Sequence, residues 1–154
     1  MGPSGCGKST LGRALADALG RQFIEGDDFH SPENKAKMAG GQPLTDADRE
    51  PWLDGVGKAL ANAPDGAVAS CSALRRSYRD RLRRLAGDLF FVLPEVPRAE
   101  LARRLEERRN SFMPASLLDS QLATLEPLGD DEDAMRIDGT RPVSEEVRLV
   151  RERI

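Results

Sequence analysis

Apolar positions recur in two rhythms along this chain. Leu11, Ala14, Leu15, Ala18 and Leu19 fall at three- and four-residue spacing and predict a helix from about Ser9 to Leu19, stopped by Gly20. Gln22-Phe23-Ile24-Glu25 predicts a short strand that delivers Gly26-Asp27-Asp28 at its end. Ser31-Pro32-Glu33 reads as a helix N-cap with proline at the first helical position, and that helix ends at Gly40-Gly41. After a turn at Pro43, Trp52, Leu53, Val56 and Leu60 mark another amphipathic helix, closed by Pro64-Asp65-Gly66. Residues 67–71 predict a second strand, with Ser72 placed to cap a helix carrying Leu74, Tyr78, Leu82 and Leu85. Leu89-Phe90-Phe91-Val92-Leu93 is an unbroken apolar run of the kind that fills buried parallel sheets. A helix with Leu101 and Leu105 follows Pro97, and a later one carries Leu117, Leu118, Leu122 and Leu125. Residues 134–138 predict the last strand and residues 144–154 the final helix. Strands separated by helical stretches imply a doubly wound parallel α/β sheet covered by helices on both faces.

Composition narrows the class. With 154 residues, 32% of them charged and 5% aromatic, the chain reads as one helix-rich α/β enzyme domain over residues 1–154. No apolar run approaches the ~18 residues that a membrane helix needs, and no basic and then apolar leader opens the chain. The two cysteines, Cys6 and Cys71, fit a reducing cytoplasm without a disulfide framework. A net charge of −3 argues against a nucleic-acid partner. The charge is uneven, however: eleven arginines stand against six acidic residues between Arg75 and Arg109. Most of these arginines read as solvated helix faces, and a few stand where an anion-binding enzyme would need them.

The chemistry begins at residue 2. Gly2-Pro3-Ser4-Gly5-Cys6-Gly7-Lys8-Ser9 matches G-x-x-x-x-G-K-[ST], a loop whose backbone N–H groups wrap the phosphates of a nucleotide. Its glycines permit the left-handed backbone such a loop requires. Lys8 is placed to reach the β- and γ-phosphates and the Ser9 hydroxyl to hold Mg²⁺, with Thr10 following in the first helical turn. These residues predict a P-loop nucleotide-binding fold that uses ATP and Mg²⁺. Such a loop normally follows a buried strand, and only Met1 precedes it here. The expectation is therefore that the first strand is missing from the chain as numbered and lies upstream of Met1, the alternative being a sheet built without it.

Ligands in such folds bind beyond the C-terminal ends of the strands. Asp27, directly after Gly26, is the candidate to orient or deprotonate an attacking hydroxyl, and His30 either hydrogen-bonds a polyhydroxy substrate or anchors the loop. Next comes Asn34-x-x-Lys37-Met38-x-x-Gly41-x-Pro43-Leu44-x-Asp46-x-Asp48-Arg49-x-Pro51-Trp52-Leu53. On these residues the chain resembles gluconate kinase, a small P-loop enzyme that phosphorylates D-gluconate with ATP. The resemblance continues through Cys71-Ser72-Ala73-Leu74, Tyr78-Arg79-Asp80, Phe112-Met113-Pro114-Ala115-Ser116-Leu117-Leu118-x-Ser120-Gln121 and Thr124-Leu125-Glu126-Pro127, nearly the whole chain.

The resemblance implies phosphorylation of the gluconate C6 hydroxyl, giving 6-phospho-D-gluconate, by a homodimer. Arg49 and Arg79 offer guanidinium forks to the gluconate carboxylate or the moving phosphoryl group, their alternatives being ion pairs with Asp46 and Asp80. Ser72 touches substrate or caps a helix; Trp52 is pocket wall or core. Arg104 and Arg108, four apart on one helix face, resemble the lid arginines of nucleoside-monophosphate-kinase-like enzymes and would clamp ATP from a lid over about residues 104–125. Where the family pattern has a Lys-Gly-His-like triplet, this chain has Arg109-Asn110-Ser111. Asp138-Gly139-Thr140-Arg141-Pro142 resembles the loop beside adenine, which adds Pro142 to the ATP site. The competing readings are a shikimate-type or other small-molecule kinase and a nucleotide-binding protein without catalysis.

Overall fold

A computed structural model of the chain describes residues 1–107 and 115–154. The chain runs from the phosphate loop into α1 (Lys8–Leu19), which starts at Gly7 (φ +96°) and ends at Gly20 (φ +63°). Both glycines take left-handed backbone, so the first turn of α1 opens directly from the loop and the last closes with the Gly20 N–H bonding back to Ala16 and Asp17. β1 (Gln22–Glu25) follows, then a 3₁₀ turn over Gly26–Phe29 and α2 (Pro32–Ala39). Ser31 caps α2 by accepting the Asn34 N–H.

α3 (Asp46–Ala61) starts earlier than its apolar face suggests and takes in Pro51. A capping box places its first turn: the Thr45 hydroxyl accepts the Asp48 N–H, and the Asp48 carboxylate accepts the Thr45 N–H. β2 (Ala67–Ser70) leads to α4 (Arg76–Ala86), whose first residue lies four positions beyond Ser72. Arg75 is its N-cap, so Ser72 does not cap it; the Ser72 carbonyl accepts the Gly2 N–H instead (3.0 Å). β3 (Phe91–Glu95), α5 (Arg98–Glu107), α6 (Leu118–Thr124), β4 (Ala134–Asp138) and α7 (Val143–Arg151) complete the order.

The strands form two parallel pairs, β1 with β2 (Gln22 opposite Ala67) and β3 with β4 (Phe91 opposite Ala134). β3 lies two residues later than its apolar run predicts and includes Pro94. Phe91 donates to Asp133 and Glu95 accepts from Gly139, so the odd positions of β3 face β4. Pro94, in the alternate phase, needs no N–H on that side, and the strand keeps its ladder.

Among the described residues, β2 pairs only with β1 and β3 only with β4. Between them lies a cavity of about 280 Å³ whose lining includes Leu11, Leu15, Val56, Val68, Leu82 and Val92. At one end of it the Met1 ammonium donates to the Val92 carbonyl (2.6 Å) and the Gly2 N–H to Ser72, so the start of the phosphate loop bridges the two halves.

Three buried clusters set the loop against its neighbours. Trp52, Leu53 and Val56 of α3 pack with Tyr78, Leu82 and Phe91. Leu11 and Leu15 of α1 meet Ile137 and Val150. Cys6, from the loop itself, is buried with Leu101, Leu105 and Leu118. A smaller cluster of Met38, Leu44 and Leu117 ties the segment before α6 to α2. α5 and α6 are thereby packed on the phosphate loop. No helix of the described residues is long and apolar enough to cross a membrane.

Candidate active site

The loop has the backbone its sequence requires: Gly2, Gly5 and Gly7 stand at φ +128°, +85° and +96°. A Cβ at Gly7 would meet nothing, so its glycine serves backbone conformation alone, whereas at Gly5 it would press on the Leu101 carbonyl at 3.2 Å. Lys8 Nζ donates to the Pro3 carbonyl (2.9 Å), held over the loop. The Ser4 N–H donates to Gln121 Oε1 (2.7 Å), so an acceptor oxygen already stands on one of the loop amides. Ser9 and Thr10 lie in the first turn of α1. A left-handed glycine cradle, a Ser4 amide that takes an oxygen acceptor and a lysine folded over the loop fit a nucleotide polyphosphate, with Ser9 at the place of a Mg²⁺ ligand.

Arg104 reaches this loop from α5. Its Nη1 donates to the Gly5 carbonyl (3.4 Å), Nη2 to the Gly139 carbonyl (3.1 Å) and Nε to Glu100 (2.7 Å). One guanidinium thus joins the phosphate loop to the turn after β4, three residues before the exposed Pro142. Arg108, the triplet Arg109-Asn110-Ser111 and Phe112-Met113-Pro114 lie outside the described residues.

The acidic side is built on Gly26. A Cβ there would lie 2.0 Å from the Ser70 carbonyl oxygen, so only glycine lets the end of β1 press onto the end of β2. The 3₁₀ turn then carries Asp27 outward from the strand end. Trp52 fixes this turn in two ways: its indole N–H donates to the Gly26 carbonyl (2.7 Å), and its ring stacks on His30 with centroids 4.3 Å apart and planes 14° apart. His30 is buried, and its Nδ1 has no hydrogen-bond partner. Burial first, then Lys35 and Arg49, push its pKa down to about 4, so the imidazole is neutral at physiological pH.

Arg49 comes from the first turns of α3. Asn34 Nδ2 donates to the Asp48 carbonyl (2.8 Å) and Lys37 Nζ to the Asp48 carboxylate (2.7 Å). The Lys37 bond, with the Thr45 cap, holds the Asp48 carboxyl down at about 2. These residues join α2 to α3 and so determine where Arg49 points. Its guanidinium donates to the Tyr78 hydroxyl (3.3 Å) and lies 3.8 Å from Asp46, while the Tyr78 hydroxyl donates to Asp46.

One cleft, of about 50 Å³, brings together Ser4, Lys8, Asp27, His30, Arg49 and Ser72. Trp52, Tyr78, Ser120 and Gln121 line the same cleft. Trp52 is therefore both core and pocket wall. The Cys71 thiol nearby is pushed up to about 12 by burial and is not a nucleophile at neutral pH.

Arg79 is elsewhere. Its side chain is fully enclosed, with Nε and Nη2 both 2.7 Å from the Glu132 carboxylate and further donations to Ala73, Leu74 and Pro127 carbonyls. Every face of the guanidinium is committed, so Arg79 is a clamp behind the Ser72–Leu74 turn and not the substrate contact its place in the sequence suggests. Its expected partner Asp80 pairs with Arg76 and Arg83. Gln121 and Tyr78, both inside the resembling blocks, join the cleft as well. Gln121 follows Leu118 by three, which puts it on the helix face that packs toward Cys6; that spacing was the available signal.

A phosphate loop opening a helix, parallel strand pairs flanked by helices, and an acid and arginines converging on the loop define a P-loop phosphotransferase. Residues 1–128 match the family described as AAA domain. The chain is 52% identical to the gluconokinase of Gluconobacter oxydans, over 92% of this chain and 81% of that protein. It is 39% identical to the thermosensitive gluconokinase of Escherichia coli, over 90% and 76%. The crystal structure of a gluconokinase from Sinorhizobium meliloti superposes with a TM-score of 0.86 at 50% identity, over 96% of this chain and 85% of that one. The chain belongs to the gluconokinase family of P-loop kinases.

Proposed function

We propose that this protein transfers the γ-phosphoryl group of ATP to the C6 hydroxyl of D-gluconate, giving 6-phospho-D-gluconate and ADP. The observation that supports this reading is the convergence of Asp27, His30 and Arg49 with Ser4 and Lys8 in one cleft. A six-carbon polyol with a carboxylate needs a cation, hydrogen-bonding groups and a base within reach of a phosphate cradle, and those are the groups present.

The loop from Gly2 to Ser9 holds the phosphates through its free-standing N–H groups, Pro3 having none and Gly2 giving its own to Ser72, and Lys8 moves from the Pro3 carbonyl to the phosphate oxygens. Ser9 is the residue to hold Mg²⁺, which supplies charge neutralisation when bound. Asp27 accepts the proton of the C6 hydroxyl as the bond from that oxygen to phosphorus forms and the bond from phosphorus to the leaving oxygen of ADP breaks. Arg49 holds the gluconate carboxylate, its fork already set by Tyr78. Neutral His30 offers its orphaned Nδ1 to a substrate hydroxyl, and Ser72 lines the same wall. Arg104, with Arg108, clamps the phosphates from the α5–α6 lid, and Pro142 borders the adenine. A homodimer in the cytoplasm completes the reading, with light scattering as the test of its mass.

A coupled ADP-release assay with ATP, Mg²⁺ and either D-gluconate or shikimate tests it. Turnover that depends on gluconate and is absent with shikimate supports the reading. ATP binding without turnover on either acid overturns it.

A further inference from the structure

The phosphate loop and α6 are joined across 117 positions of sequence by the Ser4 N–H donating to Gln121 Oε1 at 2.7 Å. α6 and the residue that precedes it are seated on both sides of that contact. Leu118, three residues before Gln121, is buried with Cys6 of the loop and with Leu101 and Leu105 of α5. Leu117 is buried with Met38 and Leu44 on the substrate side. Gln121 also lines the cleft that holds Asp27, His30 and Arg49. Its carboxamide therefore stands at the boundary between the nucleotide cradle and the acceptor pocket.

The chemistry of a carboxamide gives this position a meaning. Amides of a phosphate loop present N–H donors to anionic oxygens, and here a neutral side-chain oxygen takes that place on Ser4. A phosphate oxygen arriving at Ser4 must displace Oε1, since one N–H serves one close acceptor at full strength. The same side chain carries two N–H donors on Nε2. A side chain that accepts from the loop in the absence of nucleotide can then donate to the group that displaced it, without α6 moving. Glutamate cannot do this, because it is acceptor-only when ionised, and methionine of the same length has no donor and only a weak acceptor.

We propose that Gln121 is a catalytic residue of the phosphoryl transfer, covering the Ser4 amide through Oε1 when nucleotide is absent and donating from Nε2 to the phosphoryl group when it is present. The proposal rests on the phosphotransferase reading above. It makes α6 a part of the reaction centre as well as of the lid, and it gives the loop a neutral stand-in for phosphate that keeps the cradle formed between turnovers.

The variants Q121M and Q121E keep the length of the side chain and the packing of Leu118. ATP affinity is measured by calorimetry without gluconate, and kcat and KM with gluconate, alongside the wild type. For Q121M, ATP binds about 2- to 10-fold more tightly, because the competing hydrogen bond of ordinary net strength is gone. Its kcat falls about 10- to 100-fold, as expected for loss of one donor to the developing charge. For Q121E, ATP binding weakens at least 10-fold, as a carboxylate faces the phosphates. Tighter ATP binding together with slower turnover is a signature that a mere brace between helix and loop does not produce. Wild-type turnover on gluconate with a Q121M kcat within twofold of it, or with weaker ATP binding by Q121M, overturns the proposal alone. Absence of gluconate turnover in the wild type overturns the functional reading and this one with it.

Discussion

Trp52 and His30 lie face to face, 4.3 Å between ring centroids, and the same indole donates its N–H to the carbonyl of Gly26. One side chain from α3 therefore fixes both ends of the turn that carries Asp27. The contact also shields His30 from water, which is the main reason its pKa is pushed down to about 4. In the unfolded chain that imidazole titrates near 6.5. Above pH 6.5 both states are neutral there and the group contributes no pH dependence. Between 6.5 and 4 the unfolded chain takes up a proton that the native state refuses, so native stability falls as pH falls, by at most about 3 kcal/mol. Urea unfolding between pH 7 and pH 4 is expected to show this decline in the wild type, and His30→Gln is expected to flatten it. Parallel curves for the two proteins would contradict the burial assigned to His30.

The Arg79–Glu132 pair predicts a separation of stability from catalysis. Both side chains are wholly enclosed. Glu132→Ala leaves the guanidinium buried and uncompensated, at a cost of about 3–5 kcal/mol. Arg49→Lys, which removes the fork at the cleft, is expected to raise KM for gluconate about tenfold or more with little change in melting temperature. Thermal unfolding and steady-state kinetics on both variants check this. A KM change in folded Glu132→Ala as large as that of Arg49→Lys would return Arg79 to the substrate.

Gly26→Ala tests the junction of β1 and β2. The new methyl would lie 2.0 Å from the Ser70 carbonyl, and no flexible side-chain end is there to yield. The expected cost is about 3 kcal/mol from forced separation of the strands, with loss of turnover as Asp27 shifts. Gly40→Ala, whose methyl would meet nothing nearer than 3.4 Å, is the control and is expected to change stability by under about 1 kcal/mol. Equal melting temperatures for the two variants would contradict the crowding at Gly26.

The gap between β2 and β3 carries its own prediction. Met1 bonds toward β3 and Gly2 toward the end of β2, the alternation that residues of one strand show between two parallel neighbours. An apolar segment of about five residues joined ahead of Met1 is expected to enter the cavity and pair with both inner edges. It should raise the melting temperature by about 5 °C or more, at 2–4 °C per kcal/mol for a chain of this size. Hydrogen exchange of β2 and β3 amides should slow with it. An unchanged melting temperature would show that the gap does not accept a strand.

Local signals were legible in the sequence and long-range partners were not. The phosphate loop, the Gly20 stop and the Ser31 cap depend on residues within a few positions of one another, and the chain folds there as its pattern predicts. Asp27 and His30 share the cleft with the phosphate loop because a strand end is a place as well as a pattern. Arg49 and Arg79 looked alike, each an arginine in a resembling block. What separates them is Glu132, 53 residues beyond Arg79, whose approach nothing near Arg79 announces. β3 slid two residues because an apolar run records burial, whereas the strand is defined by which positions pair with β4. Asn34, Lys37 and Asp48 carried much of the resemblance, yet they act by joining α2 to α3 and aiming Arg49. Gln121 reaches Ser4 only once α6 is packed on Cys6.

The most direct test of the central claim is the steady-state kinetics of Asp27→Asn with ATP, Mg²⁺ and D-gluconate, read beside equilibrium binding of both substrates. With Asp27 as the group that takes the C6 proton, kcat falls about 10²- to 10⁴-fold while the dissociation constants stay within about threefold of the wild type. A kcat within tenfold of the wild type would remove Asp27 from the reaction and contradict the mechanism built on it.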